Sequence, residues 1–199
     1  MTAGRIDFIK RVILLNAMVP AVLVAGDAVR GQLGANPVEF VLRSTGIVAL
    51  LFLALSLTIT PARQLLGVPW LTRLRRLLGL LSFGYASVHV AIYLSLDQSF
   101  DPIAIAGDAL TRPFITFGML AFGFMVPLAW TSTNAAIRRL GKRWALLHRR
   151  VYAVAVFAVV HYWLEVKADT TRPMIFAAIF GALLFYRYVM RGVVKPARG

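Results

Sequence analysis

Six long apolar runs, separated by short charged breaks, constrain this chain more than any other feature. They fall at about 9–26, 38–60, 75–96, 113–131, 144–166 and 172–190. About 20 mostly apolar residues in a helix cross the hydrocarbon core of a bilayer, and the runs are of that length. Backbone inside lipid must satisfy its own hydrogen bonds, so a continuous apolar run of this length is expected to be helical. The composition agrees. The chain is 59% hydrophobic, where a soluble domain has about 45–50%, and its mean hydropathy is +0.75. Six helices use most of the 199 residues. The expected fold is therefore all-α: a polytopic membrane protein, one six-transmembrane-helix bundle over 1–199.

The formal net charge is +14, which in a soluble protein would suggest nucleic acid. Here the basic residues lie in the breaks between apolar runs, the pattern of topogenic charge facing anionic lipid, so no nucleic-acid partner is expected. Arg30, Arg43, Arg112, Lys167 and Arg172 fall to one side of the alternating spans. The rest of the 22 Lys and Arg lie at the N-terminus, in 61–76, in 132–150 and at the C-terminus. The positive-inside rule then places both termini in the cytoplasm. Seven of the 8 acids fall on the opposite side, leaving only Asp7 with the basic set. An acidic outer face can dock a soluble partner by charge complementarity, or be ordinary solvated loop charge. No small-x-small site clearly ends the first run, which is read as a retained span rather than a cleaved signal. Internal repeats are not apparent.

The chemistry open to the chain is narrow. It has no cysteine, which removes disulfides, thiolate metal sites, iron–sulfur clusters and thiol catalysis. No span carries a central Asp or Glu, which argues against an acidic proton relay and so against a proton-coupled transporter. Neither H-E-x-x-H nor G-x-S-x-G occurs. No G-x-G-x-x-G nucleotide fingerprint occurs either, so the chain has no evident place for NADPH, and an electron carrier of this kind would take its electrons from a partner or a lipid-soluble donor.

Three histidines remain: His89 in the third run, and His148 and His161 in the fifth. Ionisable groups in hydrocarbon are functional candidates by default. Two neutral imidazoles on facing helices can sandwich a porphyrin iron, and a lone intramembrane histidine can also serve as an interhelical hydrogen-bond donor. Counted from the basic ends of their runs, His89 and His161 lie at similar depths of about 17–20 Å. They are the expected bis-histidine pair. His148 precedes His161 by 13 residues, about 20 Å lower and some 140° round an ideal helix. Both histidines can serve one function only with a bent helix, differently placed haems or different partners. Two roles stay open for His148: a ligand, or an interfacial residue beside a flavin or quinone. The position 13 before His89 is Arg76. Arginine has no lone pair for iron, but its donor fork can hold a haem propionate.

Small residues on these runs, Gly79, Gly84, Ala86, Ala153, Ala155 and Ala158, can admit a flat ring or serve close helix packing. Phe83, Phe157, Tyr93, Tyr152 and Tyr162 can wall a cofactor or join interfacial belts, and Trp70, Trp144 and Trp163 fit such a belt.

Several stretches together resemble a known family. They are Arg73-Leu74-Arg75-Arg76-Leu77-Leu78-Gly79-Leu80, Tyr85-Ala86-Ser87-Val88-His89, Thr131-Ser132-Thr133-Asn134, Trp144-Ala145-Leu146-Leu147-His148-Arg149-Arg150-Val151-Tyr152 and His161-Tyr162-Trp163. They look like the haem-binding membrane subunits of the protein-methionine-sulfoxide reductase system (the MsrQ/YedZ family), part of the ferric-reductase-like superfamily that includes NADPH oxidases. The likeness covers most of the chain and is strongest over about 70–190. It implies a multi-pass protein of the bacterial inner membrane, carrying one or two haem b and also FMN. It implies electrons from the quinone pool or a cytosolic flavin reductase. It implies delivery to a periplasmic molybdenum-containing methionine sulfoxide reductase subunit. By the same resemblance His89, His148 and His161 are the metal-binding residues. NADPH oxidases have two histidines on the third span; Arg76 stands at the other position here.

Overall fold

The structure is a computed structural model describing residues 1–166 and 168–193, with side chains described to Met190. Lys167, Lys195 and Arg198 of the charge pattern lie outside the described residues. Among the described residues the chain is helices joined by short connections, without a strand.

Nine α-helices follow in order. They are α1 Ala3–Val29, α2 Pro37–Leu66, α3 Thr72–Ile92, α4 Pro102–Thr111, α5 Pro113–Trp130, α6 Asn134–Leu140, α7 Lys142–His148, α8 Val151–Glu165 and α9 Thr171–Val193. Five segments are long and apolar enough to cross a membrane: α1, α2, α3 with its flanking turns, α5 and α9. The outward faces are apolar: on α1, Leu15 is 70% and Val22 66% exposed, and only Ile6 and Ala17 of that helix are buried. Large exposed hydrophobic faces of this kind need lipid as solvent. The chain is a multi-pass membrane protein.

Local chemistry sets the ends of the spans. Asn36 caps α2 by accepting from the Glu39 N–H at 3.2 Å, while its amide donates to Glu39 Oε2 at 2.9 Å. Pro37 and Pro113 occupy first-turn positions, where the missing N–H costs nothing. Gly67 closes α2 at φ 65°, a left-handed cap suited to glycine.

Three elements depart from the sequence expectation. The second run is expected to stop before Pro61, yet α2 continues through it to Leu66. A helical proline frees the carbonyl four residues earlier, here that of Leu57, and Arg187 Nη2 on α9 donates to it at 2.8 Å. The third run ends in a π-helical turn over Tyr93–Asp97, and the short apolar helix α4 follows it. The fifth run, read as one span over 144–166, is two helices. At the joint, Arg149 and Arg150 N–H bond to Leu146 and Leu147 carbonyls, three residues back, in a tighter turn than α. Alone, α8 has 15 residues, about 22 Å, which is short of the hydrocarbon thickness of about 30 Å.

The main core lies where α2, α5, α8 and α9 meet. Leu50, Leu53 and Leu57 pack with Met125, Leu128, Val154, Ala155, Phe176 and Phe180. Helices α2 and α3 are further joined by small polar side chains, Ser82 donating to the Ala49 carbonyl and Ser56 to that of Arg75. Such bonds hold membrane helices together where lipid offers little hydrophobic drive.

Candidate functional site: a histidine clamp between two helix pairs

His89 projects from α3 and His161 from α8, and their ring centres stand 6.1 Å apart with planes at 86°. A metal-bound imidazole nitrogen lies about 2 Å from its ion and about 1 Å from its own ring centre, so two rings sharing one ion have centres about 6 Å apart. The observed separation of 6.1 Å matches that distance.

The hydrogen bonds fix which nitrogen faces the gap. His89 Nδ1 lies 2.9 Å from the Leu42 carbonyl, with Thr45 Oγ1 at 3.4 Å. His161 Nδ1 lies 2.7 Å from the Phe114 carbonyl. A carbonyl only accepts, so each Nδ1 must donate its proton, leaving the lone pair on Nε2. This outer hydrogen bond is the usual means of orienting a metal-binding imidazole.

Two glycines make the bonds possible. A Cβ on Gly46 of α2 would lie 3.3 Å from the His89 ring, and one on Gly118 of α5 would lie 2.8 Å from His161 Nδ1. In each case the glycine stands one turn after the carbonyl that receives Nδ1–H. The device is built twice with one spacing: 47 residues separate carbonyl from histidine in both copies. One copy belongs to the pair α2–α3 and the other to α5–α8. Sequence reasoning missed Leu42, Gly46, Phe114 and Gly118, because a backbone acceptor and a glycine carry no residue-specific signal.

A cavity of about 1380 Å³ opens beside the clamp, lined by α2, α3, α5 and α8. Small-molecule pockets run to roughly 300–1,000 Å³, so a group of haem size has room. Ala86, Ala158, Tyr93 and Tyr162 line it. Gly79 instead faces Ser56 and Ala155 is in the core, serving helix packing. Phe83 stacks on Phe122, and Phe157 packs against Phe117 and Phe124. At the acidic end Arg43 pairs with Glu39 at 2.8 Å and with Glu165 at 3.3 Å, tying α2 to α8.

His148 is not part of the clamp. It ends α7 at the basic end of the bundle, stacked on Trp144 with centres 3.9 Å apart. Its Nε2 lies 3.1 Å from Thr131 Oγ1, whose own proton goes to the Pro127 carbonyl at 2.6 Å. The Thr131 hydroxyl has one proton to give, so it accepts from His148 Nε2–H. Trp144 Nε1 donates to the Thr131 carbonyl at 3.0 Å, so this tryptophan braces His148. Arg76 is exposed and donates to Asn134 Oδ1 at 2.8 Å. The arginine whose charge acts on His148 is its neighbour, Arg75.

Residues 45–159, which include His89 of the clamp and stop two residues short of His161, match the family described as ferric reductase like transmembrane component. The chain belongs to that family. Three relatives are described as haem-binding subunits, MsrQ, of protein-methionine-sulfoxide reductase. That of Azospira oryzae is 48% identical over 96% of this chain and 82% of its own. That of Ralstonia nicotianae is 45% identical over 92% and 87%. That of Rhodospirillum rubrum is 46% identical over 95% and 94%. At these identities and coverages the chain is a member of the MsrQ group within the ferric-reductase-like family. No solved structure matches it.

Proposed function

We propose that this chain is a transmembrane electron-transfer subunit that holds a b-type haem between His89 and His161. The observation that carries the reading is the clamp: two imidazoles 6.1 Å apart, each with Nδ1 committed to a backbone carbonyl. Haem, when bound, supplies one-electron exchange at its iron. The protein residues hold both imidazoles in the ligating tautomer, wall the ring with Tyr93, Tyr162, Ala86 and Ala158, and keep bulk off it at Gly46 and Gly118.

The names of the relatives support assembly with a methionine sulfoxide reductase. On this reading α7 and α8 together make the sixth crossing, and both termini are cytoplasmic in a bacterial inner membrane, as the basic residues favour. The basic end then receives electrons from the quinone pool or a cytosolic flavin reductase. The acidic end delivers them to a periplasmic molybdenum-containing reductase subunit. A second haem or FMN belongs at the basic end, near His148 and the Arg76 fork. The chain passes electrons; the catalytic chemistry belongs to its partner.

The test is a pyridine haemochrome assay with reductive titration on the purified chain, alongside His89→Ala and His161→Ala. The wild type is expected to show a Soret band that shifts on dithionite reduction, and both variants to lose it. A colourless wild type, expressed with ample haem, or full Soret absorbance in both variants refutes the reading.

A further inference from the structure

We propose that α4 and the turn before it are the docking surface for the electron-accepting protein, a soluble partner with an apolar contact patch ringed by Lys and Arg. This placement rests on the electron-transfer reading above and names where the acceptor sits. Ile103 and Leu110 stand two turns apart on one face of α4 and are 84% and 87% exposed. Phe100, just before the helix, is 66% exposed. The opposite face of α4, with Ile105, Asp108 and Ala109, is half-buried and packs on α5.

The surface is built and pinned. Asp108 Oδ2 accepts from Gln98 Nε2 at 2.9 Å and from Tyr93 Oη at 3.3 Å, and its Oδ1 pairs with Arg112 at 3.3 Å. Asp101 caps α4, accepting from the Ile103 N–H at 2.8 Å. Thr116 on α5 donates to the Ala109 carbonyl. Ser99 and Phe100 both lie in the left-handed region, at φ 49° and 57°. Side chains rarely adopt that conformation, and it persists where surrounding contacts impose it, most often at functional sites. The surface is also joined to the clamp. Tyr93 stands one turn beyond His89, about 6 Å further along the helix. It lines the clamp's cavity and bonds α4 through Asp108, and Thr111 and Arg112 line the same cavity. A protein seated on α4 is therefore at the outer mouth of the histidine site.

Depth and charge favour a protein over lipid as the cover. Asp97 stands 21 residues beyond Arg76, about 31 Å along the helix, so the chain has already crossed the hydrocarbon thickness of about 30 Å when α4 begins. Helices that lie on a bilayer surface carry Lys and Arg to meet anionic headgroups. No Lys or Arg occurs in α4, and Arg112 just past its end is taken by Asp108. The exposed charges beside the apolar face are Asp97 and Asp101. They repel anionic headgroups and attract a basic rim. An apolar centre with a charged rim is the anatomy of a protein interface.

The experiment uses the full chain with its haem in nanodiscs of phosphatidylcholine and phosphatidylglycerol, and the purified methionine sulfoxide reductase subunit of the same system. The photocrosslinker p-benzoylphenylalanine replaces Ile103, Leu110 or, as a lipid-facing control, Leu15. Crosslinks to the reductase subunit are expected from the first two positions and not from the third. Ile103→Ser and Leu110→Ser are each expected to weaken binding on the order of tenfold, since a large apolar side chain is no longer buried. The KM for the reductase subunit rises by the same factor, while haem content and the transfer rate at saturation are unchanged. The chain has no cysteine, so a bimane on Ile103→Cys reports this face alone, and spin-labelled lipid is expected not to quench it. Crosslinks that miss both positions, undiminished affinity in both serine variants, or quenching by lipid overturns the docking surface. Crosslinking does not read haem. A colourless chain that still crosslinks at Ile103 and Leu110 therefore refutes the electron-transfer reading, and a haem-loaded chain that does not crosslink refutes the docking surface.

Discussion

A methyl group on Gly118 would lie 2.8 Å from His161 Nδ1, the atom that holds the ring to the Phe114 carbonyl. Contacts this short do not persist, so in Gly118→Ala the imidazole must swing and its outer hydrogen bond must stretch. Loss of such an orienting bond weakens metal binding by about 10–100-fold. We expect Gly118→Ala to lose haem on that scale, measured by haem titration of the apoprotein. Gly46→Ala, whose Cβ would meet the His89 ring at 3.3 Å, is expected to lose less. Equal, unchanged affinity in the two variants would remove the glycines from the site. The histidines themselves were legible in the sequence, because ionisable groups are rare in apolar runs. The glycines and carbonyls were not, since their role exists only when a second helix lies against them.

At the scale of elements, α3 and α8 hold their histidine rings at 86°. Perpendicular axial imidazoles give a highly anisotropic low-spin ferric EPR signal, whereas parallel ones give three well-separated g-values. With both rings on one haem iron, as proposed, the frozen ferric protein should show the former. Helices α2 and α9 meet in a different device: the Leu57 carbonyl released by Pro61 is taken up by Arg187. Arg187→Met leaves that carbonyl unsatisfied, at a cost of about 1–3 kcal/mol. Thermal unfolding in detergent should show the loss, and Pro61→Ala combined with Arg187→Met should lose less than the sum, since the helix then keeps the carbonyl for itself. Pro61 looked like a span end in the sequence because proline stops most helices. Only a donor arriving from a helix more than a hundred residues away lets this one continue. The break between α7 and α8 was likewise hidden, as residues 144–166 are apolar enough to read as one run. The angular offset of His148 from His161 already required a bent helix, or else differently placed haems or different partners.

At the scale of the molecule, the charge pattern predicts orientation. With both termini cytoplasmic, a green fluorescent protein fused at either end should fluoresce and an alkaline phosphatase fused there should be inactive; the opposite pair of results would invert the bundle. Docking of a soluble partner on the acidic end should weaken as salt rises from low to physiological ionic strength, because exposed charges are screened beyond about 8 Å at 0.15 M. Salt-independent transfer to the partner would leave the acids as solvated loop charge.

The sequence by itself determined the solvent and the inventory. Apolar run length demands lipid, and the lipid then demands helices. The absence of cysteine and of central acids leaves imidazole as the ligand to consider. Matching the depths of His89 and His161 needed nothing beyond helix rise. The tertiary structure alone decided what surrounds them. No internal repeat is apparent in residue identities, yet α2–α3 and α5–α8 build the same carbonyl, glycine and histidine arrangement at the same spacing. The reason is that a backbone acceptor and a missing side chain leave almost no trace in residue type, while the distance between two packed helices depends on both. The same holds at the basic end: Arg75 and Arg76 are adjacent in the chain, and only the fold brings the carbonyl of one to Ser56 on α2 and the guanidinium of the other to Asn134.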